Sequence, residues 1–200
     1  MGARTETRTD MVRAGARLLA SRGYEATALL DVVEAAGASR GSIYFHFPGG
    51  KQQLALEALA YSTERSLERS AAAIRHSADT AEVIRRTVEV LAEALEKSGF
   101  EMGCPVATVA LETANTDESI RTVSADFFAK WRSLYVGSLL RDGFEPERAQ
   151  RLATLVVAVI EGGLMLSRTQ RSADPMRDAC AEAADLVAEA TATLSRRGGD

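Results

Sequence analysis

Apolar residues recur every three or four positions along most of this chain and strand-like alternation is nearly absent, a period that predicts amphipathic helices from end to end. Met11, Val12, Gly15, Leu18 and Leu19 mark the inner side of a first helix from near Thr9 to Arg22, closed by Gly23. The segment before it, with Arg4 and Arg8, reads as a disordered tail, the alternative being an arm that follows a minor groove. Thr27 then offers a capping hydroxyl to a helix of about ten residues carrying Leu29, Leu30, Val32, Val33 and Ala36, with Gly37 where a left-handed residue would end it. Ser39 is the next capping hydroxyl. In the short helix it opens, Ile43 and Phe47 lie four apart and predict one inward face. Pro48 stops that helix, and Gly49 and Gly50 permit a tight turn into a fourth one reaching about His76, with Leu54, Leu56, Leu59, Leu67 and Ile74 among its apolar positions.

Five further helices are predicted, at about Thr80–Lys97, Val106–Thr113, Asp117–Arg141, Pro146–Thr169 and Pro175–Ser195. Asp142-Gly143 and Asp174-Pro175 punctuate the last three, and only the RRGGD end looks loose. No repeat or low-complexity block interrupts the pattern. An all-α protein of two domains follows, residues 1–51 and 52–200.

The outward face of the short helix is chemically distinctive. It carries Arg40, Gly41, Ser42, Tyr44, Phe45 and His46, which combine hydrogen-bond donors, a small residue for close approach and aromatic rings. Burial would leave such polar groups unsatisfied, whereas a DNA major groove would engage them. A capped helical hairpin with an aromatic cluster also occurs inside ordinary helical cores, so the layout alone leaves both readings open.

The segment SRGSIYFHFPGGKQQLALEAL resembles the second and third helices and the following turn of the TetR family of transcriptional regulators, a resemblance covering roughly residues 7 to 60 with IYFHF its most specific part. GCPVATVALET from Gly103, together with the PGGK turn, is similar to the LmrA/YxaF-like subgroup of drug- and flavonoid-responsive repressors. The resemblance implies an N-terminal three-helix DNA-binding domain with a helix-turn-helix, and a C-terminal helical domain for ligand binding and dimerisation. It implies that Arg40, Gly41, Ser42 and Phe45 face bases and that Thr27, Tyr44, His46 and Lys51 meet phosphates, with Tyr44 and His46 open to both roles. Ser39 joins this DNA-binding set.

Charge adds little but points the same way. The chain carries a net −4, yet in residues 1–51 seven Lys/Arg oppose five acids, a surplus of two that leaves the rest at −6. A slightly basic head on an acidic body suits local phosphate contact. The start is charged and amphipathic, without the apolar stretch of a cleavable leader, so a cytoplasmic location is the simplest expectation. The longest apolar run, Leu152 to Leu166, is short for a membrane span and is broken by Glu161, Gly162 and Gly163. Cys104 and Cys180 offer neither a disulfide framework nor a metal box. Reduced thiols are the plain reading and a redox role for Cys104 the alternative. No GxSxG, P-loop or HExxH motif is present and His76 has no evident catalytic partner, so no enzyme, cofactor or metal is expected.

The last two long helices are rich in Ala, Leu and Val, including Leu155, Val156, Val159, Ile160, Leu186, Val187 and Leu194. A second apolar stripe on them suits packing against another copy, and the resemblance implies a two-fold dimer through this pair, bound to a roughly palindromic operator. It also implies an inducer cavity in the body. Phe100, Met102, Cys104, Val106, Val109, Phe127, Phe128, Trp131, Tyr135, Leu164 and Met165 bring rings and soft side chains to that region. Trp131 and Tyr135, four apart on one helix, suit a flat aromatic ligand or simple mutual packing. Glu161, polar within an apolar helix, is a candidate ligand contact, a member of a buried network, or a solvent-facing group at the dimer edge. The expected function is a ligand-responsive repressor that releases its operator when a small apolar or aromatic molecule binds. An activator of the same fold, or a helical interaction protein without DNA binding, are the alternatives.

Overall fold

The computed structural model describes residues 2–197, and its described elements are all helices: α1 (Gly2–Arg22), α2 (Leu29–Ala35), α3 (Ser42–His46), α4 (Gly50–Arg75), α5 (Thr80–Lys97), α6 (Pro105–Thr113), α7 (Glu118–Arg141), α8 (Pro146–Gln170) and α9 (Asp174–Arg197). The expected bounds hold to within two residues from α4 onward. The N-terminal segment corrects the sequence reading. Instead of a loose tail before Thr9, α1 is helical from Gly2, and Arg8 is engaged, its guanidinium 2.6 Å from Glu57 of α4 and 5.2 Å from the centre of the Phe47 ring. The last residues of the expected loose C-terminal end, 198–200, lie outside the described residues.

The chain forms two compact units. The first holds the described residues up to Arg65 together with Gly103–Phe127. Its core joins Met11, Val12 and Ala14 of α1 to Val32 and Val33 of α2, Ile43 and Phe47 around α3, and Leu54 of α4. Leu30 departs from expectation at 51% exposure: in a helix of only seven residues one stripe reaches the core, and Leu29, Val32 and Val33 occupy it. In α6, Val106, Val109 and Thr113 are buried, and that helix packs on α1.

The second unit holds Ser66–Met102 and the residues from Phe128 onward. Here α8 and α9 pack together and α5 packs against both, more on α9 than on α8. Val83, Ile84, Val88 and Leu95 of α5, Leu152, Val156 and Ile160 of α8 and Met176 and Val187 of α9 are all buried in this unit. α8 is long and apolar enough to cross a membrane by length and composition, but its inner stripe is spent on α9 and α5. Gly163 makes the α8 to α9 approach possible, because a Cβ there would stand 3.0 Å from the Met176 Cα. Asp79 caps α5 by accepting from the Glu82 N–H at 2.8 Å, and Thr80 ties the same end to α7 through Ser138 Oγ, 2.8 Å from its hydroxyl. Arg85 to Asp185 (2.6 Å) and Arg177 to Glu96 (2.9 Å) bridge α5 and α9 on the solvent side, where water and salt screen such pairs.

Candidate nucleic-acid interface

The reading face is built by three consecutive chain reversals. Gly23, with φ of +81°, ends α1 and donates its N–H to the Leu19 carbonyl. Thr27 does not cap α2 as the sequence suggested: it is 4% exposed and its hydroxyl donates to the Gly23 carbonyl at 2.7 Å. That bond closes the turn from within and withdraws the Thr27 side chain from the surface. The α2 start is held instead by the Asp31 carboxylate, which accepts from the Ala28 N–H at 3.4 Å. At the other end Gly37 has φ of +63° and the Ala38 N–H donates to the Val33 carbonyl at 3.0 Å, a left-handed closure that a residue with a Cβ adopts only with strain.

Ser39 also differs from expectation. It supplies its carbonyl rather than its hydroxyl, accepting from the Ser42 N–H at 3.0 Å and the Ser42 hydroxyl at 2.6 Å. Arg40 and Gly41 therefore lie in the turn that opens α3. Five residues are too few for a helix to stand alone in water. α3 is held in place by Ile43 and Phe47, both 0% exposed, as their spacing predicted.

Pinning that side forces the other outward. Tyr44 and Phe45 are 66% and 67% exposed, two adjacent large rings in water, an arrangement that marks a contact surface more often than a resting one. Ser39, Arg40 and Gly41 are exposed beside them, while Ser42 and His46 are half-buried. The Phe45 and His46 rings meet edge to face at 5.1 Å between centroids. Thus the structure brings together Ser39, Arg40, Gly41, Ser42, Tyr44, Phe45 and His46 and leaves Thr27 inside.

Lys51, half-buried at the start of α4, donates to the Glu25 carbonyl at 3.1 Å and lies 4.5 Å from the centre of the Tyr24 ring. No local pattern in the sequence marks Tyr24; only its tertiary contact with Lys51 reveals it. Burial, followed by the carboxylates of Asp117 and Glu25, holds its phenol above the usual range, so it stays neutral beneath the ammonium.

The candidate ligand residues do not fall within one unit. Cys104, Val106, Val109 and Phe127 belong to the first, and Phe100, Met102, Phe128, Trp131, Tyr135, Glu161, Leu164 and Met165 to the second. Met165 corrects the expectation of an interior position, being 61% exposed on α8. Cys104 caps α6, its sulfur accepting from the Ala107 N–H at 3.4 Å. Phe100 adopts φ of +66° and donates its N–H to the Leu95 carbonyl, closing α5. Glu161 is half-buried. Within the second unit Trp131 and Tyr135 are both buried, ring centroids 6.4 Å apart. The indole N–H donates to Ser70 at 3.0 Å and the phenol to Thr87 at 3.5 Å. Burial, opposed by the Thr87 hydrogen bond and reinforced by the Cys180 sulfur nearby, raises the Tyr135 phenol far above its ordinary range.

This arrangement has close relatives. Residues 12–58 match the family described as bacterial regulatory proteins, tetR family, and residues 80–182 match the C-terminal domain described as transcriptional regulator LmrA/YxaF-like. The uncharacterized regulator YxaF of Bacillus subtilis (strain 168) is 34% identical over 202 residues, covering 100% of each chain. LmrA of the same organism is 33% identical over 171 residues, 86% of this chain and 91% of that protein. Among solved structures, a TetR transcriptional regulator from Chloroflexus aurantiacus J-10-FL superposes with a TM-score of 0.80 at 30% identity, covering 94% of this chain and 97% of the other. With an exposed aromatic and basic face on a three-helix head and matches that run through both of its units, the chain belongs to the TetR family of helix-turn-helix transcriptional regulators, which are not enzymes, and within it to the LmrA/YxaF-like group.

Proposed function

We propose that this regulator is a ligand-responsive repressor that binds a roughly palindromic operator as a homodimer and leaves it when a small, flat, mostly apolar molecule enters the C-terminal body. The observation that carries the DNA half is the pairing of opposite faces on α3: Ile43 and Phe47 wholly buried, Tyr44 and Phe45 two-thirds exposed beside Arg40. In this reading Arg40, Gly41, Ser42 and Phe45 meet base edges, and Tyr44, His46 and Lys51 meet phosphates, with Ser39 shaping the approach. Residues 1–51 read the operator, residues 52–200 form the ligand-binding and dimerisation body, and α4 is continuous across 51 and 52.

Members of the family bind operator DNA and act as dimers with small-molecule ligands. For this chain the exposed apolar residues Leu155, Met165 and Leu166 on α8 and Leu186 on α9 support a joint between copies that sets two α3 faces about 34 Å apart, one helical turn of DNA. A ligand that prefers a body conformation with another spacing lowers operator affinity by its difference in affinity for the two conformations. The rings of Trp131 and Tyr135, with Phe128 one turn earlier, are the group such a ligand would disturb.

Selection from a random DNA pool tests the reading. Wild-type protein enriches a two-fold site, whereas Arg40→Ala enriches a site with relaxed preference at one position per half-site, a loss of about 1–3 kcal/mol of discrimination there. Unchanged preference and affinity in Arg40→Ala would remove Arg40 from the base-reading set, and enrichment of no site by the wild type would overturn the reading itself.

A further inference from the structure

A carboxylate beside a phosphate-binding lysine works against DNA, yet Glu112 of α6 reaches the very turn that holds Lys51. Its Oε2 accepts from the Glu25 N–H at 2.8 Å, across 87 positions of sequence. The same carboxylate presses on Gly23, so closely that a Cβ at that position would overlap it. Glu25 is thereby held from both sides of its backbone, its N–H by Glu112 and its carbonyl by Lys51 at 3.1 Å. Two more bonds fasten the neighbourhood of α6 to the reading head. The Gly103 N–H donates to the Ala20 carbonyl of α1 at 3.0 Å, and Gln52, next to Lys51, donates to Asp117 Oδ2 at 2.8 Å.

We propose that Glu112 is a positioning residue for operator binding: as a hydrogen-bond acceptor it fixes the turn from Gly23 to Thr27, and through Glu25 it aims the Lys51 ammonium and the entry to α2. A turn of five residues closed by a positive-φ glycine has several low-lying shapes. One external acceptor on its central amide selects among them. Loss of that acceptor leaves the core of Met11, Val33 and Phe47 untouched but divides the head among conformations of which only a fraction present Lys51 correctly, and the apparent affinity falls by that fraction. The inference rests on the α3 face and Lys51 being the operator-binding side.

The test uses the full-length protein and the DNA site that the wild type selects. Glu112→Ala removes the acceptor. Glu112→Asp keeps the charge but withdraws the acceptor by one methylene, and Glu112→Gln keeps the acceptor while removing the charge. Operator affinity falls about three- to tenfold in Glu112→Ala and Glu112→Asp, the range one net hydrogen bond supports. Glu112→Gln binds at least as tightly as wild type, because the acceptor survives and the repulsion of phosphate does not. The salt dependence keeps the wild-type slope in Glu112→Asp, which retains the charge, whereas Lys51→Ala lowers it by about one unit. Hydrogen exchange at the Glu25 amide accelerates only in the Ala and Asp variants, with unfolding temperature and sedimentation as wild type. Wild-type affinity in Glu112→Asp alongside an unprotected Glu25 amide would overturn the inference, as would equal weakening in Glu112→Gln and Glu112→Ala. Both outcomes leave operator binding by the wild type standing; failure of the wild type to select DNA would overturn that binding and the inference with it.

Discussion

The indole N–H of Trp131 donates to the Ser70 hydroxyl at 3.0 Å across 61 positions of sequence, both side chains buried. This bond joins α4 to α7 and satisfies the one polar atom of a ring that is 6% exposed. Ser70→Ala removes the acceptor of this buried N–H and is expected to cost about 1–3 kcal/mol. Chemical denaturation checks the loss. Because the chain has a single Trp, its emission also reports on this environment, and a shift on ligand addition that coincides with operator release is the outcome expected of an inducer acting at these rings.

Two adjacent glycines of α8 separate close packing from helix propensity. Gly163→Ala drives a methyl group against the Met176 backbone, and an overpacked helix contact of this kind costs about 1–3 kcal/mol. Gly162 has open space around it, so Gly162→Ala is expected to be neutral or to stabilise the isolated chain by up to about 1 kcal/mol, the propensity difference. Thermal unfolding of the two variants side by side decides; equal effects would mean that the α8 to α9 approach does not depend on Gly163.

Burial raises the Cys180 thiol from 9.0 to about 11, and the thiol is 1% exposed. A group whose proton is held more tightly in the folded state contributes stability that is full below its unfolded pKa and lost as pH climbs through the folded one. Stability should therefore decline between about pH 9 and 11 by an amount on the order of 1–3 kcal/mol, with the Tyr135 phenol steepening the decline above pH 10. Cys180→Ala should flatten the first part of that curve. Unfolding temperature measured from pH 7 to 11 reads the difference, and identical curves would place the thiol in contact with water.

Leu155 and Leu186, each 41% exposed, are tolerated on a single copy but become buried if α8 and α9 form the joint between copies. The double variant Leu155→Glu, Leu186→Glu should fold with little change in helicity yet sediment as a monomer at micromolar concentration, because each charge would lose its water in the joint. Its operator affinity should fall steeply, one half-site being all that remains. A dimer of unchanged stability would locate the joint elsewhere.

Much of the architecture was legible in the chain itself. Hydrophobic period, caps and glycines are local signals, so α5, α7 and α8 appear within a residue of their expected bounds and Ile43 and Phe47 are buried as their spacing required. The exposed face of α3 follows from the same logic, since a short helix pinned by two apolar residues must turn its remaining side chains to solvent. Other features were decided only in three dimensions. Thr27 has the chemistry of a cap, but a buried carbonyl four residues earlier in the chain, that of Gly23, lies within reach of its hydroxyl and takes it. Arg8 looked like part of a loose tail because nothing in its neighbourhood shows that Glu57 and the Phe47 ring stand beside it. The assignment of α6 to the unit of the reading head, and with it the contact of Glu112 with the Glu25 amide, is likewise unreadable from periodicity. Local sequence determines which stretches are helical and which face each buries; which distant group completes a hydrogen bond or an ion pair depends on how those faces are brought together, and that only the tertiary structure decides.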